Sequence, residues 1–81
     1  MEQRIMDALT KAFDHAQVEL DQMSTGRYSG MIVWEGFGEE DAVDRQRRLR
    51  QALEKGLGAD ASQVGVIFAY TPHEMKAMTA A

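Results

Sequence analysis

The residues best suited to bind a partner are concentrated in one basic segment of the chain. Its five cations are Arg45, Arg47, Arg48, Arg50 and Lys55. Glu54 is the only acid between positions 45 and 55, so the segment carries a net charge of +4 and the rest of the chain −8, within a total of −4. Such an uneven distribution of charge is typical of a binding face. We therefore predict that these five residues contact nucleic acid or a protein partner.

The same segment has a simpler interpretation, because acidic residues stand directly before it. These acids are Glu35, Glu39, Glu40, Asp41 and Asp44. Asp41 and Arg45 are spaced as an i,i+4 pair, and so are Asp44 and Arg48. Each such pair stabilises a helix by about 0.2–0.5 kcal/mol. Under this interpretation the segment is a solvated helix face that neutralises its own charge, and both interpretations stay open.

No group of residues matches a catalytic or metal-binding pattern. The chain has no cysteine, which excludes a disulfide, a thiolate metal site and a cysteine nucleophile. His15 and His73 belong to no metal-ligand spacing, so we expect surface histidines without a metal. The run from Gly36 to Glu40 presents acids where a bound phosphate needs hydrogen-bond donors. We predict that the protein is not an enzyme and has no catalytic residue, metal or cofactor.

Length and composition indicate a single folded domain over residues 1–81. Of these residues 44% are hydrophobic and 27% are charged, which is typical of a globular domain and not of a disordered one. No apolar run approaches the roughly 20 residues of a membrane span. The first residues also lack the basic-then-apolar layout of a secretory signal. We expect a cytoplasmic protein that does not contact a membrane.

Hydrophobic periodicity divides the chain into three helices and three strands. The predicted elements are a helix over 3–14, paired strands over 17–23 and 28–34, a helix over about 40–55, a strand over 64–70 and a helix from 71. Thr71, Pro72 and Glu74 have the N-cap, N1 and N3 positions of a capping box. The order α-β-β-α-β-α predicts a two-layer α+β sandwich whose helices cover one face of the sheet.

One hydrophobic core is expected between the two layers. Its predicted members are Leu9, Phe13, Val33, Leu49, Leu53, Val66 and Ile67. The residues predicted to share the core face of the long helix are Ala42, Gln46, Leu49, Leu53 and Gly56. The strand over 64–70 is apolar on both faces, which favours a central or well-covered position. Met6, Met75 and Met78 fall on predicted helices and are interpreted as core or helix cover.

Three features of the chain together resemble BolA-like proteins. They are the element order, the segment from Phe37 through Arg45-Gln46-Arg47-Arg48-Leu49-Arg50-Gln51-Ala52-Leu53, and the closing run Ile67-Phe68-Ala69-Tyr70-Thr71-Pro72-His73-Glu74. The family has a class II KH-like fold, a helix-turn-helix-like element of the form R-H-R-x-x-Y-x-x-L and an ending like K-A-Y-T-P-x-E-W. The resemblance implies a transcriptional regulator of the stress response. It equally implies an adaptor in iron handling that shares an iron–sulfur cluster with a monothiol glutaredoxin.

The chain departs from the family where an iron ligand is expected. Gln63 stands where members usually carry a histidine, and residues 21–26 supply neither cysteine nor histidine. Arg50 replaces the tyrosine of the helix, and Met75 replaces the final tryptophan. Whether His15 or His73 substitutes for the missing histidine stays open.

What the resemblance then implies is a binding module without its own iron–sulfur ligand, as a monomer or a homodimer. Its partner would be a monothiol glutaredoxin or another protein, with weak nucleic-acid binding as a further expectation. The alternative is an unrelated small α+β domain for protein interaction or homodimerisation, with no nucleic-acid role.

Overall fold

Three helices and three strands follow one another in the predicted order α-β-β-α-β-α in a computed structural model, which describes residues 1–79. The elements are α1 (Glu2–Ala12), β1 (Gln17–Gln22), β2 (Tyr28–Val33), α2 (Ala42–Leu57), β3 (Val64–Tyr70) and α3 (Pro72–Thr79). Short 3-10 segments at Glu35–Phe37 and Gly58–Gln63 precede α2 and β3. The predicted α+β class is confirmed. No helix within residues 1–79 is long and apolar enough to cross a membrane.

The sheet has the order β1-β2-β3, with β1 antiparallel and β3 parallel to the central strand β2. Val18 and Ala69 flank Ile32 on the face that packs against α1 and α2. The predicted central or covered position of β3 is wrong, because β3 is an edge strand with Val66 57% and Phe68 56% exposed. Both long helices pack on one face, and side chains alternate along a strand, so half of β3 points away from them.

The core lies between this face of the sheet and the two long helices. Its buried members are Ile5, Leu9, Phe13, Ile32, Phe37, Leu49, Leu53, Leu57, Val64 and Ile67. All the predicted core residues are confirmed except Val33 and Val66. Val33 is half-buried next to the buried Ile32, so its side chain lies on the opposite face, and Val66 is exposed. Met6 and Met75 are half-buried, whereas Met78 is 52% exposed and does not belong to the core.

The buried face of α2 differs from the predicted one. Its buried residues are Arg45, Leu49, Leu53 and Leu57. The other predicted members, Ala42, Gln46 and Gly56, are exposed. The physical reason is that the long aliphatic stem of an arginine can complete an i,i+4 row of leucines. Gly56 allows α1 and α2 to approach, because a Cβ there would lie 2.5 Å from the Cβ of Ala8.

Side-chain hydrogen bonds cap the N-termini of two helices, α2 and α3. The backbone N–H of Glu74 donates to Thr71 Oγ1 at 3.2 Å, and that of Thr71 donates to Glu74 Oε1 at 2.8 Å. These two bonds confirm the capping box at α3. The helix α2 begins after Asp41, whose carboxylate accepts from the backbone N–H of Asp44 at 2.8 Å. The helix α1 ends earlier than predicted, at Ala12, and His15 lies in the following loop with a φ of 65°.

Candidate functional site

Arg45, the first cation of the basic segment, lies inside the protein. Its side chain is 8% exposed, and its guanidinium donates to both carboxylate oxygens of Glu74, at 2.6 Å and 3.1 Å. It also donates to the carbonyl oxygens of Ala69 and Gly38, each at 3.1 Å. Arg45 thus joins α2 to β3, to the start of α3 and to the turn before α2. Its guanidinium is used within the fold.

The Arg45–Glu74 ion pair changes the acidity of both groups. The pKa of Glu74 falls from 4.5 to about 2, first because Arg45 donates to its carboxylate and then because the backbone N–H of Thr71 does. The hydrogen bond to Glu74 likewise raises the pKa of Arg45. Both groups therefore stay charged at neutral pH, and Glu74 serves the capping box and the ion pair together.

Arg48 covers a group of aromatic rings. Its guanidinium lies 4.9 Å from the centroid of the Trp34 ring, and it donates to Glu40 Oε1 at 2.5 Å. Trp34 itself packs edge-on against Phe13, with ring centroids 4.9 Å apart, and against Phe37, with centroids 5.1 Å apart. A cation over an aromatic face is attracted by the ring. Arg48 is thus held by one carboxylate and the aromatic group.

The two i,i+4 ion pairs that the sequence suggested are wrong. Arg45 pairs with Glu74 and Arg48 with Glu40, while Asp44 pairs with Arg47 at 3.3 Å. The Asp41–Arg45 pair does not form because Asp41 is engaged as the N-cap of α2, where its carboxylate accepts a backbone hydrogen bond. A cap residue points its side chain back at its own helix, and it is then poorly placed to reach a cation one turn on.

Three predicted cations remain at the surface: Arg47, Arg50 and Lys55. The side chain of Arg47 is 63% exposed despite its contact with Asp44. Arg47 and Arg50 line a shallow groove of about 360 Å³ together with Val43, which is 65% exposed. Lys55 is exposed at the other end of the helix. We call Val43, Arg47, Arg50 and Lys55 the α2 surface.

Two side chains of α2 hydrogen-bond to the free edge of β3. Tyr70 O accepts from Trp34 N and so points at β2, which directs the carbonyls of Ile67 and Ala69 outward. Gln46 Nε2 donates to Ile67 O at 2.8 Å, and Arg45 donates to Ala69 O at 3.1 Å. These side chains block the pairing of another strand at this edge. The sequence indicated no such role for Gln46, since its contact is 21 residues away.

The region that corresponds to the family's iron ligands offers no suitable donors. Gln63 is exposed at the end of the 3-10 segment before β3, and the guanidinium of Arg27 donates to the neighbouring Val64 O at 3.3 Å. An amide is a poor ligand for iron, which prefers thiolate and imidazole ligands. His15 and His73 are both exposed. Within residues 1–79 no three His, Cys, Asp or Glu side chains are grouped to hold a metal ion.

The architecture defined by these elements is that of BolA-like proteins. The chain is similar to the crystal structure of a Bol-like protein from Babesia bovis, with a TM-score of 0.69, over 96% of this chain and 92% of that chain. The two sequences are 19% identical, so the likeness establishes the fold and confirms the BolA-like architecture that the motifs implied. No family model and no curated protein matches the sequence.

Proposed function

We propose that this chain is a non-enzymatic BolA-like binding module that acts as a protein adaptor through the α2 surface. The observation that carries the proposal is the groove on α2, in which the exposed Val43 lies beside Arg47 and Arg50. An exposed apolar side chain flanked by cations suits a partner that offers apolar and acidic side chains together. Such a contact needs no catalytic group and no metal.

The placement of the five cations favours a protein partner over DNA. Arg45 is buried against Glu74, and Arg48 is held by Glu40 and Trp34. Three surface cations would release few counterions, so the slope of log affinity against log salt would be about −2 to −3 at most. The carboxylates at the start of α2 would also repel a phosphate backbone. The adaptor role is therefore favoured over the regulator role. Sharing of an iron–sulfur cluster is not favoured either, because Gln63 and residues 21–26 provide no cysteine or histidine ligand.

The test compares two charge-reversed variants of the full chain in pulldown experiments. The first variant carries Arg47→Glu and Arg50→Glu. The matched control carries Lys11→Glu and Lys76→Glu, which make the same charge change at exposed positions on α1 and α3. We expect a defined partner to be retained by the wild type and the control and lost by the α2 variant. Loss from both variants, or from neither, would contradict the proposal.

Fluorescence anisotropy with duplex DNA tests the competing role. We expect micromolar or weaker binding that is insensitive to sequence and that disappears between about 50 and about 200 mM salt. Nanomolar binding that persists at the higher salt concentration, and is lost in the α2 variant, would replace the adaptor with a nucleic-acid-binding protein.

A further inference from the structure

A groove of about 1050 Å³ lies on the face of the sheet opposite α1 and α2. It is found where β1 begins, β2 ends and α3 begins. Its apolar lining consists of Val18, Met31, Val33, Trp34, Pro72 and Met75. Met31 and Val33 alternate with the fully buried Ile32, so they belong to the face that the two long helices leave uncovered. We call this feature the open-face groove.

The charged residues that line the open-face groove are all acidic apart from one histidine. Asp14, Glu19 and Glu35 line it, together with His15, and no lysine or arginine does. All three carboxylates are exposed, and Glu19 and Glu35 form no ion pair within the described part of the chain. Asp14 Oδ2 lies 3.5 Å from His15 Nε2. The groove therefore combines an apolar floor with uncompensated negative charge.

The apolar floor continues across the sheet onto β3. In the register of the two strands, Met31 is opposite Phe68 and Val33 is opposite Tyr70. Phe68 is 56% exposed, and its ring stacks on that of Tyr70 with centroids 6.4 Å apart. Exposed apolar side chains that adjoin one another mark an interaction site more often than isolated ones do.

We propose that the open-face groove binds an amphipathic segment of a partner protein that carries leucine-like side chains together with lysine or arginine. Its apolar side would pack on the row from Met31 to Phe68, and its cations would meet Glu19 and Glu35. This site goes beyond the α2 surface, because it lies on the opposite layer of the molecule and selects the opposite charge. The two surfaces together would let one small adaptor hold a basic partner and an acidic partner.

Charge decides against an acidic occupant. A nucleic acid or an acidic segment would be repelled by the three carboxylates. A second copy of this chain that docked by its own open-face groove would bring the carboxylates of Glu19 and Glu35 of the two copies together, and like charges repel. The chain as a whole carries a net charge of −4, which adds to this repulsion.

Trp34 provides a direct test, because it is the only tryptophan and it lines the groove. The probes are two helical peptides without aromatic residues, one built from leucine and lysine and one from leucine and glutamate. The full chain is titrated with each peptide while Trp34 emission is recorded. We expect a saturable change with the leucine–lysine peptide and none with the leucine–glutamate peptide.

Two variants with the same change of charge locate the contact. Glu19→Lys combined with Glu35→Lys reverses the groove, whereas Glu2→Lys combined with Glu54→Lys reverses exposed acids on α1 and α2. We expect the first variant to weaken binding of the leucine–lysine peptide by roughly tenfold or more and the second by less than about twofold. Circular dichroism verifies that both variants are folded.

Three results would overturn the proposal. The first is absence of saturable binding by the leucine–lysine peptide, and the second is an equal loss of affinity in the two variants. The third is concentration-dependent self-association of the wild type that disappears with Glu19→Lys and Glu35→Lys, which would make a second copy the occupant. Arg47→Glu and Arg50→Glu should leave peptide binding intact, so this site and the α2 surface can fail independently.

Discussion

The two faces of the sheet carry similar apolar side chains but meet different surroundings. On the covered face Ile67 is 2% exposed, whereas its neighbour Phe68 on the open face is 56% exposed. The same holds for the central strand, where Ile32 is fully buried and Met31 and Val33 line an open groove. The covered face is explained by folding alone, because α1 and α2 pack against it. Folding does not explain the apolar side chains of the open face, and the proposed binding of a partner segment would account for them.

The arginines of α2 show the same division on a smaller scale. Arg45 is buried and forms the bidentate ion pair with Glu74, while Arg47 is 63% exposed and touches Asp44 at 3.3 Å. The two arginines are only two residues apart on α2, but Arg45 is part of the interior and Arg47 lies at the surface. Burial therefore indicates better than residue type whether an arginine stabilises the fold or is available for binding.

The largest effect is expected on the covered face, for Leu53→Ala. Leu53 is 7% exposed within the core cluster, so the change removes buried contacts and leaves a cavity. We expect the free energy of unfolding to fall by about 2–5 kcal/mol. Urea denaturation measures this loss. A loss below about 0.5 kcal/mol would show that α2 does not pack on the sheet as described.

A smaller effect is expected for Arg45→Met. The variant leaves Glu74 without its cation and two backbone carbonyls without a donor, but the Glu74 side chain is 41% exposed and can be hydrated. We expect a loss of about 1–3 kcal/mol in the same denaturation experiment. The matched control, Arg47→Met, should cost less than about 0.5 kcal/mol, since its pair is solvated. Equal losses of stability in the two variants would show that Arg45 and Arg47 contribute equally to the fold.

Acid should weaken the fold through Glu74. Folding lowers the pKa of this carboxyl from 4.5 to about 2, so between these values the unfolded chain binds more protons than the folded one. The contribution of Glu74 is therefore complete above pH 4.5 and is lost as the pH falls towards 2. Urea midpoints measured across this range should fall less steeply for Glu74→Gln than for the wild type. Glu54→Gln, which removes an exposed carboxylate of α2, is the control with the same loss of charge.

The elements of the fold could be predicted because they depend on local signals. The strand-forming residues of 28–34, the i,i+4 spacing of Leu49 and Leu53, and the capping box of Thr71 and Glu74 each lie within a few residues. The BolA-like motifs added the architecture, since they include the order in which the elements occur.

The site could be predicted only in part, because its contacts are distant in sequence. Arg45 meets Glu74 across 29 residues, and no local spacing indicates that pair. Phe37 stands alone between two glycines, so nothing near it suggests a buried ring. The sequence did not predict the edge position of β3, because the apolar residues of Val64–Tyr70 are compatible with helices on both faces of the sheet. In the structure the long helices cover one face.

The smallest stability effect is expected on the open face, for Phe68→Thr. Threonine keeps the strand propensity of the position, and the lost stacking on Tyr70 should cost at most about 1 kcal/mol. The same change removes the apolar side chain opposite Met31, so the leucine–lysine peptide should bind several-fold more weakly. Urea denaturation and the Trp34 titration measure the two effects on one variant. A stability loss as large as that of Leu53→Ala would mean that the open face belongs to the core, and unchanged peptide affinity would exclude Phe68 from the binding surface. A small loss of stability together with a clear loss of affinity would show that the open face serves binding, whereas the covered face serves folding.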